Sequence, residues 1–283
     1  MADSPSKYAD RILAWTIRCS GEPLDGSYEL VSARIRLELN RIGKATLCFN
    51  AGDMDKQTFD ESDSDSFKPG TDIRIDAGDL NDQKPLFEGI IMQTSIRIGK
   101  GHRSMMVVEC RDHAWPATQG RRNRIFEKKK DSEMISEALS SYGSVSVDGT
   151  DYQHPEMVQY YCTDWDFALS RADACGMFIL TTGRDIKVFK PKVGEPPVLT
   201  VTYGSDLISL DCGLSAGDQF SGYDAVSWNP SEQAQVRKSA SAPTLNRQGD
   251  LEPKSMAAAD NMLLQTDAPT DSAVLKAWAD SLA

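Results

Sequence analysis

The chain has 283 residues, 40% of them hydrophobic and 26% charged, with a formal net charge of −11. That length and balance fit a folded protein of two or more domains, each with its own core. The acidic sum argues against a general nucleic-acid binder, and no run approaches the roughly 18 apolar residues that a membrane span needs. The opening MADSPSKYAD has no apolar signal-peptide core, so synthesis and first folding are expected in the cytosol.

Six cysteines (Cys19, Cys48, Cys110, Cys162, Cys175, Cys212) are scattered without CxxC or metal-like spacing. Most sit in apolar or strand-like runs, as small buried hydrophobes of a reducing compartment do. The charges are segregated. Asp53 to Asp82 holds ten acidic and three basic residues, and Ser95 to Lys130 holds ten basic and three acidic. Each run alone reads as solvated surface. Together they suit heterologous, head-to-tail contacts in a ring.

Residues 10–115 are strand-rich. Val31, Ala33, Ile35, Leu37 and Leu39 alternate with polar residues; Ala45, Leu47 and Phe49, then Ile73, Ile75 and Ala77, keep the same period of two. One apolar and one polar face per strand is the pattern of an antiparallel sheet or barrel. Leu86–Ile98 and Met105–Cys110 are apolar on both faces and are expected at the centre or at an interface. The polar stretch 53–70 predicts a long exposed loop.

Residues 116–183 are mixed. GRRNRIFEKKK (120–130) reads as a basic connection. A short helix follows from Asp131, with Ile135, Ala138, Leu139 and Tyr142 on its apolar face and Gly143 at its end. Residues 158–180 then give strand, capped helix, strand. Thr163 is placed as the cap with Asp166 as its capping-box partner, while Trp165, Ala168, Leu169, Ala172 and Cys175 form one face. Gly176 supplies the left-handed stop, and Met177 to Leu180 leave as a buried strand.

Residues 184–283 return to strands at Ile186–Val188, Leu199–Tyr203, Leu207–Leu210 and Tyr223–Trp228. A polar excursion covers 229–261. The last segment, 270–283, predicts a helix with Val274, Leu275, Trp278 and Leu282 on one side. It meets the chain end without Gly, Pro or polar tail, which suits a polypeptide that runs on; a helix docked on the body is the alternative.

Chemistry is sparse. The histidines, His102, His113 and His154, have no metal spacing, and no HExxH, GxSxG or GxGxxG after a strand occurs. Asp112 and His113 are neighbours in a strand and point to opposite faces. Asp164 and Asp166 bracket Trp165, but residues two apart on a helix do not face each other, and capping with the helix dipole accounts for both. The basic run 120–130 has one aromatic, Phe126, where single-strand nucleic-acid grooves interleave several. The acidic run from Asp60 to Asp65 lacks the Gly and the terminal Glu of an EF-hand and reads as solvated surface. No catalytic, cofactor-binding or metal residue is assigned, and no cofactor is expected. A chain of this size with many strands and no convergent chemistry is expected to work by shape and assembly.

Several segments resemble one known arrangement: Gln159-Tyr160, Thr163 to Phe167 and Arg171-Ala172 through Gly176; PLFEGIIMQTSIRI (85–98) before MMVVECRDHAW (105–115); LTVTYGSDLISLDCGLSA (199–216) before YDAVSWNP (223–230); and NMLLQTDAP (261–269) before VLKAWADSLA (274–283). In shared order, they look like the hub region of contractile-injection spike proteins: the VgrG proteins of type VI secretion and the phage baseplate hubs, including the late control D type. The resemblance covers the chain from about residue 10 to the end.

It implies a mainly β fold with an α+β insertion. Two similar antiparallel β-barrel domains, 10–115 and 184–283, would be linked by a small α/β domain at 116–183. The second barrel would be incomplete, its C-terminal helix leading towards an OB-fold and needle portion. The role implied is a non-enzymatic homotrimer, a pseudo-sixfold ring joining the hexameric inner tube to the trimeric spike. Implied partners are the tail tube protein, baseplate proteins and, through the needle portion, a PAAR-like tip protein. Nucleic acid is not expected, and membrane contact is expected only during injection. Localisation would be the bacterial cytoplasm during assembly, then the injection particle. The alternative is a tail-associated cell-wall hydrolase.

Overall fold

The structure is a computed structural model that describes residues 13–80, 82–99, 104–192, 195–207, 209–217, 219–241, 250, 253–257, 259–266 and 270–283. The N-terminal MADSPSKYAD, His102 and the 267–269 end of the NMLLQTDAP segment lie outside these residues.

The first seven strands are β1 (Leu13–Cys19), β2 (Glu22–Pro23), β3 (Leu30–Arg36), β4 (Lys44–Asn50), β5 (Asp72–Asp79), β6 (Asp82–Arg97) and β7 (Met105–Asp112). They form one antiparallel sheet in the order β2-β1-β5-β6-β7-β4-β3. The 16-residue β6 pairs with β5 through its first half and with β7 through its second. Bulges at Ile75/Asp76 and Ile91/Gln93 let it bend. At Gly89 any Cβ would lie 2.1 Å from the Arg111 carbonyl, so only glycine lets β6 and β7 approach there. The alternation read in β4 holds: Ala45, Leu47 and Phe49 are buried.

Two expectations change here. In the edge strand β3, Val31 and Ala33 are exposed despite their alternation, because among the described residues no further layer covers that edge. The acidic stretch is partly ordered. It contains the short helix α1 (Asp60–Asp63) and a 3₁₀ turn at Asp65–Phe67 that sends Phe67 into the core. Phe67 packs against Tyr28 and Phe49, with centroids 5.2 and 5.1 Å away.

The middle unit has three layers. The segment expected as a basic connection is instead strand β8 (Arg122–Lys130), because Arg122, Arg124 and Phe126 alternate inward to Asp164 and the core while the backbone pairs with a neighbour. It pairs with β10 (Gln153–Cys162) in a two-stranded ribbon. Helices α2 (Asp131–Leu139) and α3 (Asp164–Ala174) lie between this ribbon and the three-stranded sheet β11 (Phe178–Thr182)-β12 (Asp185–Phe189)-β9 (Ser144–Val147). Ile135, Trp165, Ala168 and Ala172 pack on that sheet. Phe126 and Phe167 stack at 5.2 Å on the ribbon side. The hairpin β11–β12 spans the boundary expected between 183 and 184, so β12 belongs to the middle sheet, parallel to β9.

Residues 199–207 form no strand. The Thr202 carbonyl accepts from the N–H groups of Ser205, Asp206 and Leu207 in a turn, while Leu199, Val201 and Tyr203 are exposed. Their period of two is right for a strand, but among the described residues no strand edge lies against it, and a strand without a neighbour has no ladder. Leu210 is likewise exposed and outside any strand. Beyond lies a three-stranded sheet, β14 (Ala234–Ser239)-β13 (Tyr223–Asn229)-β15 (Met262–Thr266), with the short helix α4 (Pro253–Met256) between β14 and β15 in the chain. Helix α5 (Ser272–Leu282) covers it through Leu275 and Ala279. Mainly β with several antiparallel sheets and an α+β unit is therefore the fold class, as the sequence indicates.

Helix α3 follows its local signals closely. The Thr163 side chain accepts from the Asp166 N–H at 3.0 Å, and Gly176 stops the helix at φ +65°. Thr163→Ala should lower stability by about 1 kcal/mol. Gly176→Ala should lower it by at least ~1–2 kcal/mol, since a left-handed backbone disfavours any side chain and a Cβ would meet that of Ser281 at 3.0 Å. Urea unfolding of both variants would check the ranking.

Candidate functional site

The residues that sequence reading weighed for chemistry do not converge. Asp112 ends β7 fully buried, accepting from the Ala114 N–H and the Gly183 N–H, both at 2.9 Å. Burial pushes its carboxyl up to about 6 against these stabilising bonds. His113 points elsewhere, 3.9 Å from Asp72, and burial with the nearby Arg184 holds its pKa below the usual histidine value. Asp166 is exposed on the cap of α3, while Asp164 is buried. Asp164 accepts from Tyr142 (2.7 Å), Gln159 (2.9 Å) and Arg124 (3.3 Å), and pairs with the Arg122 Nε at 3.0 Å. Capping accounts for only part of this pair: Asp164 holds α3 to the ribbon. Dispersed over positions 122, 124, 142 and 159, its partners leave no spacing signal in the sequence.

A second buried carboxylate escaped the sequence reading. Asp131, the first residue of α2, bonds the His154 Nε2 at 2.8 Å and the Arg171 Nε at 2.6 Å. Burial would raise its pKa, but the His154 and Arg171 bonds outweigh it, and the net shift is downward. The group lines a cleft of about 350 Å³ with Thr150, Cys175, Lys190 and Ala273 of α5. Burial and the nearby Asp131 push the Cys175 thiol up to about 12, away from the thiolate that a nucleophile needs. Among the described residues no group of three His, Cys, Asp or Glu side chains suits a metal ion, and no helix is long and apolar enough to cross a membrane.

The distinctive surfaces are two. On the ribbon, Arg122 and Arg124 turn inward to Asp164 and Lys129 pairs with Glu137. Much of the basic run therefore neutralises acid within the chain rather than facing a partner. The opposite ribbon face exposes Ile125, Val158, Tyr160 and Tyr161. The other surface is the acidic loop, closed by a two-way backbone pairing of Asp53 and Thr58 and by Glu61 accepting the Gly52 N–H at 3.0 Å. Met54 stands 88% exposed at its tip.

Asp164→Ala would leave Arg122, Arg124, Tyr142 and Gln159 without their shared acceptor. It should cost ~3 kcal/mol or more in urea unfolding, the range for breaking a buried ion pair. Asp112 has the opposite sign from a salt-bridged acid. Its folded pKa is raised, so its contribution is fully present below the unfolded value and fades as pH rises to about 6. The stability of the wild type relative to Asp112→Asn should therefore fall by up to about 3 kcal/mol between pH 4 and 7.

The fold is shared with phage tail proteins. The chain is similar to the 43 kDa tail protein of prophage MuSo2 from Shewanella oneidensis, with TM-score 0.65, 11% identity, and coverage of 93% of this chain and 76% of that one. It is similar to a tail protein of Neisseria meningitidis MC58 at TM-score 0.62 and 13% identity, covering 93% and 73% of the two chains. An Escherichia coli component of the type VI secretion system, described as similar to the T4 bacteriophage tail proteins gp27 and gp5, matches at TM-score 0.51 and 14% identity over 89% and 68%. No curated protein sequence is significantly similar to the chain. The sequence profile of the Alg8 N-terminal domain matches residues 9–283, which is nearly all of the chain, and the protein belongs to that family.

Proposed function

We propose that this protein is a non-enzymatic structural hub of a contractile injection system or phage-like tail. Three copies would form a pseudo-sixfold ring that joins the hexameric inner tube to the trimeric spike. The observation that carries the reading is the fold likeness to tail proteins over 93% of the chain. The type VI component with its gp27 and gp5 likeness points to the same kind of assembly. In this reading the tube protein, baseplate proteins and, through a needle portion, a PAAR-like tip protein are the partners. The protein assembles in the bacterial cytoplasm and leaves it within the injection particle.

The structure suits a subunit that transmits thrust. The helices of the middle unit are clamped between two strand layers, and buried carboxylates tie that unit together and to the first sheet. Mass photometry or sedimentation of the purified chain, with negative-stain images, should give a ring of three. A monomer at high micromolar concentration would overturn the ring, and peptidoglycan turnover abolished by a single acidic substitution would replace the reading with the hydrolase.

A further inference from the structure

The two seams between the units of the chain are built differently. Across the first, Asp112 accepts the Gly183 N–H, and Asn40 exchanges two bonds with the Ile179 backbone. The Gly43 N–H reaches Thr181 Oγ1 at 3.4 Å. Ile42, in the turn between β3 and β4, packs against the core of the middle unit. Bonds to buried oxygens fix distance and angle together. The first sheet and the middle unit are therefore one block.

Across the second seam, α3 meets α5 through small groups. A Cβ on Gly176 would lie 3.0 Å from the Ser281 Cβ and 3.1 Å from its Cα, so the two backbones touch there with no side chain between them. Beside that contact lies the cleft of about 350 Å³, with Thr150, Tyr152 and Cys175 on one wall and Ala273, Val274 and Ala277 of α5 on the other. The cores do not merge. Trp165, Ala168 and Ile179 belong to one cluster, and Ala225, Leu264, Leu275 and Ala279 to another. The bonds described for Asp224, Ser241, Lys276 and Asp280 all stay inside the last unit. The chain passes from β12 to β13 through residues 190–222, which among the described residues hold no strand or helix.

A narrow contact beside a void, on a connection without regular structure, has the construction of a hinge. Units joined without a large apolar interface move relative to one another by default. We propose that the last unit swings as a body about the Gly176–Ser281 contact, opening and closing the α5 cleft, while the first sheet and the middle unit move together. Ala273 and Ala277 leave α5 room to approach the opposite wall. The hinge does not depend on the ring reading. In a hub it would let the last unit adjust to its neighbours while the block carries load.

The test uses the full chain, spin-labelled through p-acetylphenylalanine at Lys187 of β12 and Gln235 of β14, both exposed strand positions. Dilution with unlabelled chain restricts the reading to distances within one copy. A second pair, Lys187 with the exposed Arg34 of β3, spans the bonded seam. Double electron–electron resonance should give a 187–235 distance distribution about twice as broad as the 187–34 distribution. Ala277→Trp, which puts a wedge in the cleft, should shift and narrow the 187–235 distribution and leave 187–34 unchanged. Equal breadth for the two pairs would overturn the inference, and so would a broad 187–235 distribution that the wedge does not alter. A ring of three with equal breadths removes the hinge and leaves the hub standing. A monomer with the expected breadths does the reverse.

Discussion

The arrangement of the units depends on one buried carboxylate, Asp112. It stands where β7 leaves the large sheet, and its two oxygens take the N–H groups of Ala114 ahead of it and of Gly183 in the β11–β12 turn. Its own N–H goes to the Gly43 carbonyl. The first sheet and the middle unit are thus joined through main-chain donors that no side-chain substitution elsewhere can replace. Asn40 adds a second stitch, its N–H to the Ile179 carbonyl and its Oδ1 to the Ile179 N–H. A carboxylate accepting backbone donors fixes both distance and angle, whereas apolar contact alone would allow sliding.

The same logic repeats outward. Asp164 fastens α3 to the ribbon, and Asp131 fastens α2 to both β10 and α3. In the last unit, Asp224 holds Arg237, Ser239 and Asn261 together, and those bonds pull its pKa down to about 2. Four inward-facing aspartates are therefore structural anchors, and three of them hold arginines, so these pairs leave the formal net charge of −11 essentially as it stands. The basic run of β8 is discounted accordingly, since two of its arginines neutralise Asp164.

Local rules carried the elements whose residues interact with near neighbours. Helix α3 with its Thr163 cap and Gly176 stop, helix α2 from Asp131, and the alternation in β4 were legible because capping, handedness and face periodicity act over a few residues. The same rules failed at 120–130, where a charged composition concealed a strand, and at 199–203, where a good strand pattern meets no edge among the described residues. Strand formation is a pairing event, and pairing partners are set by the path of the whole chain.

The sequence by itself determined the fold class, both ends of α3 and the lack of any recognised catalytic motif, whereas α2 stops at Leu139, short of the Gly143 expected to end it. Each of these follows from residue type and short-range spacing. Only the tertiary structure decided which carboxylates are anchors, which cations remain outside, and that Tyr160 and Tyr161 share the solvent. Those outcomes depend on groups 13 to 71 positions apart meeting in a low-dielectric interior, as Asp224 meets Arg237 and Asp112 meets Gly183, and no local pattern encodes such meetings.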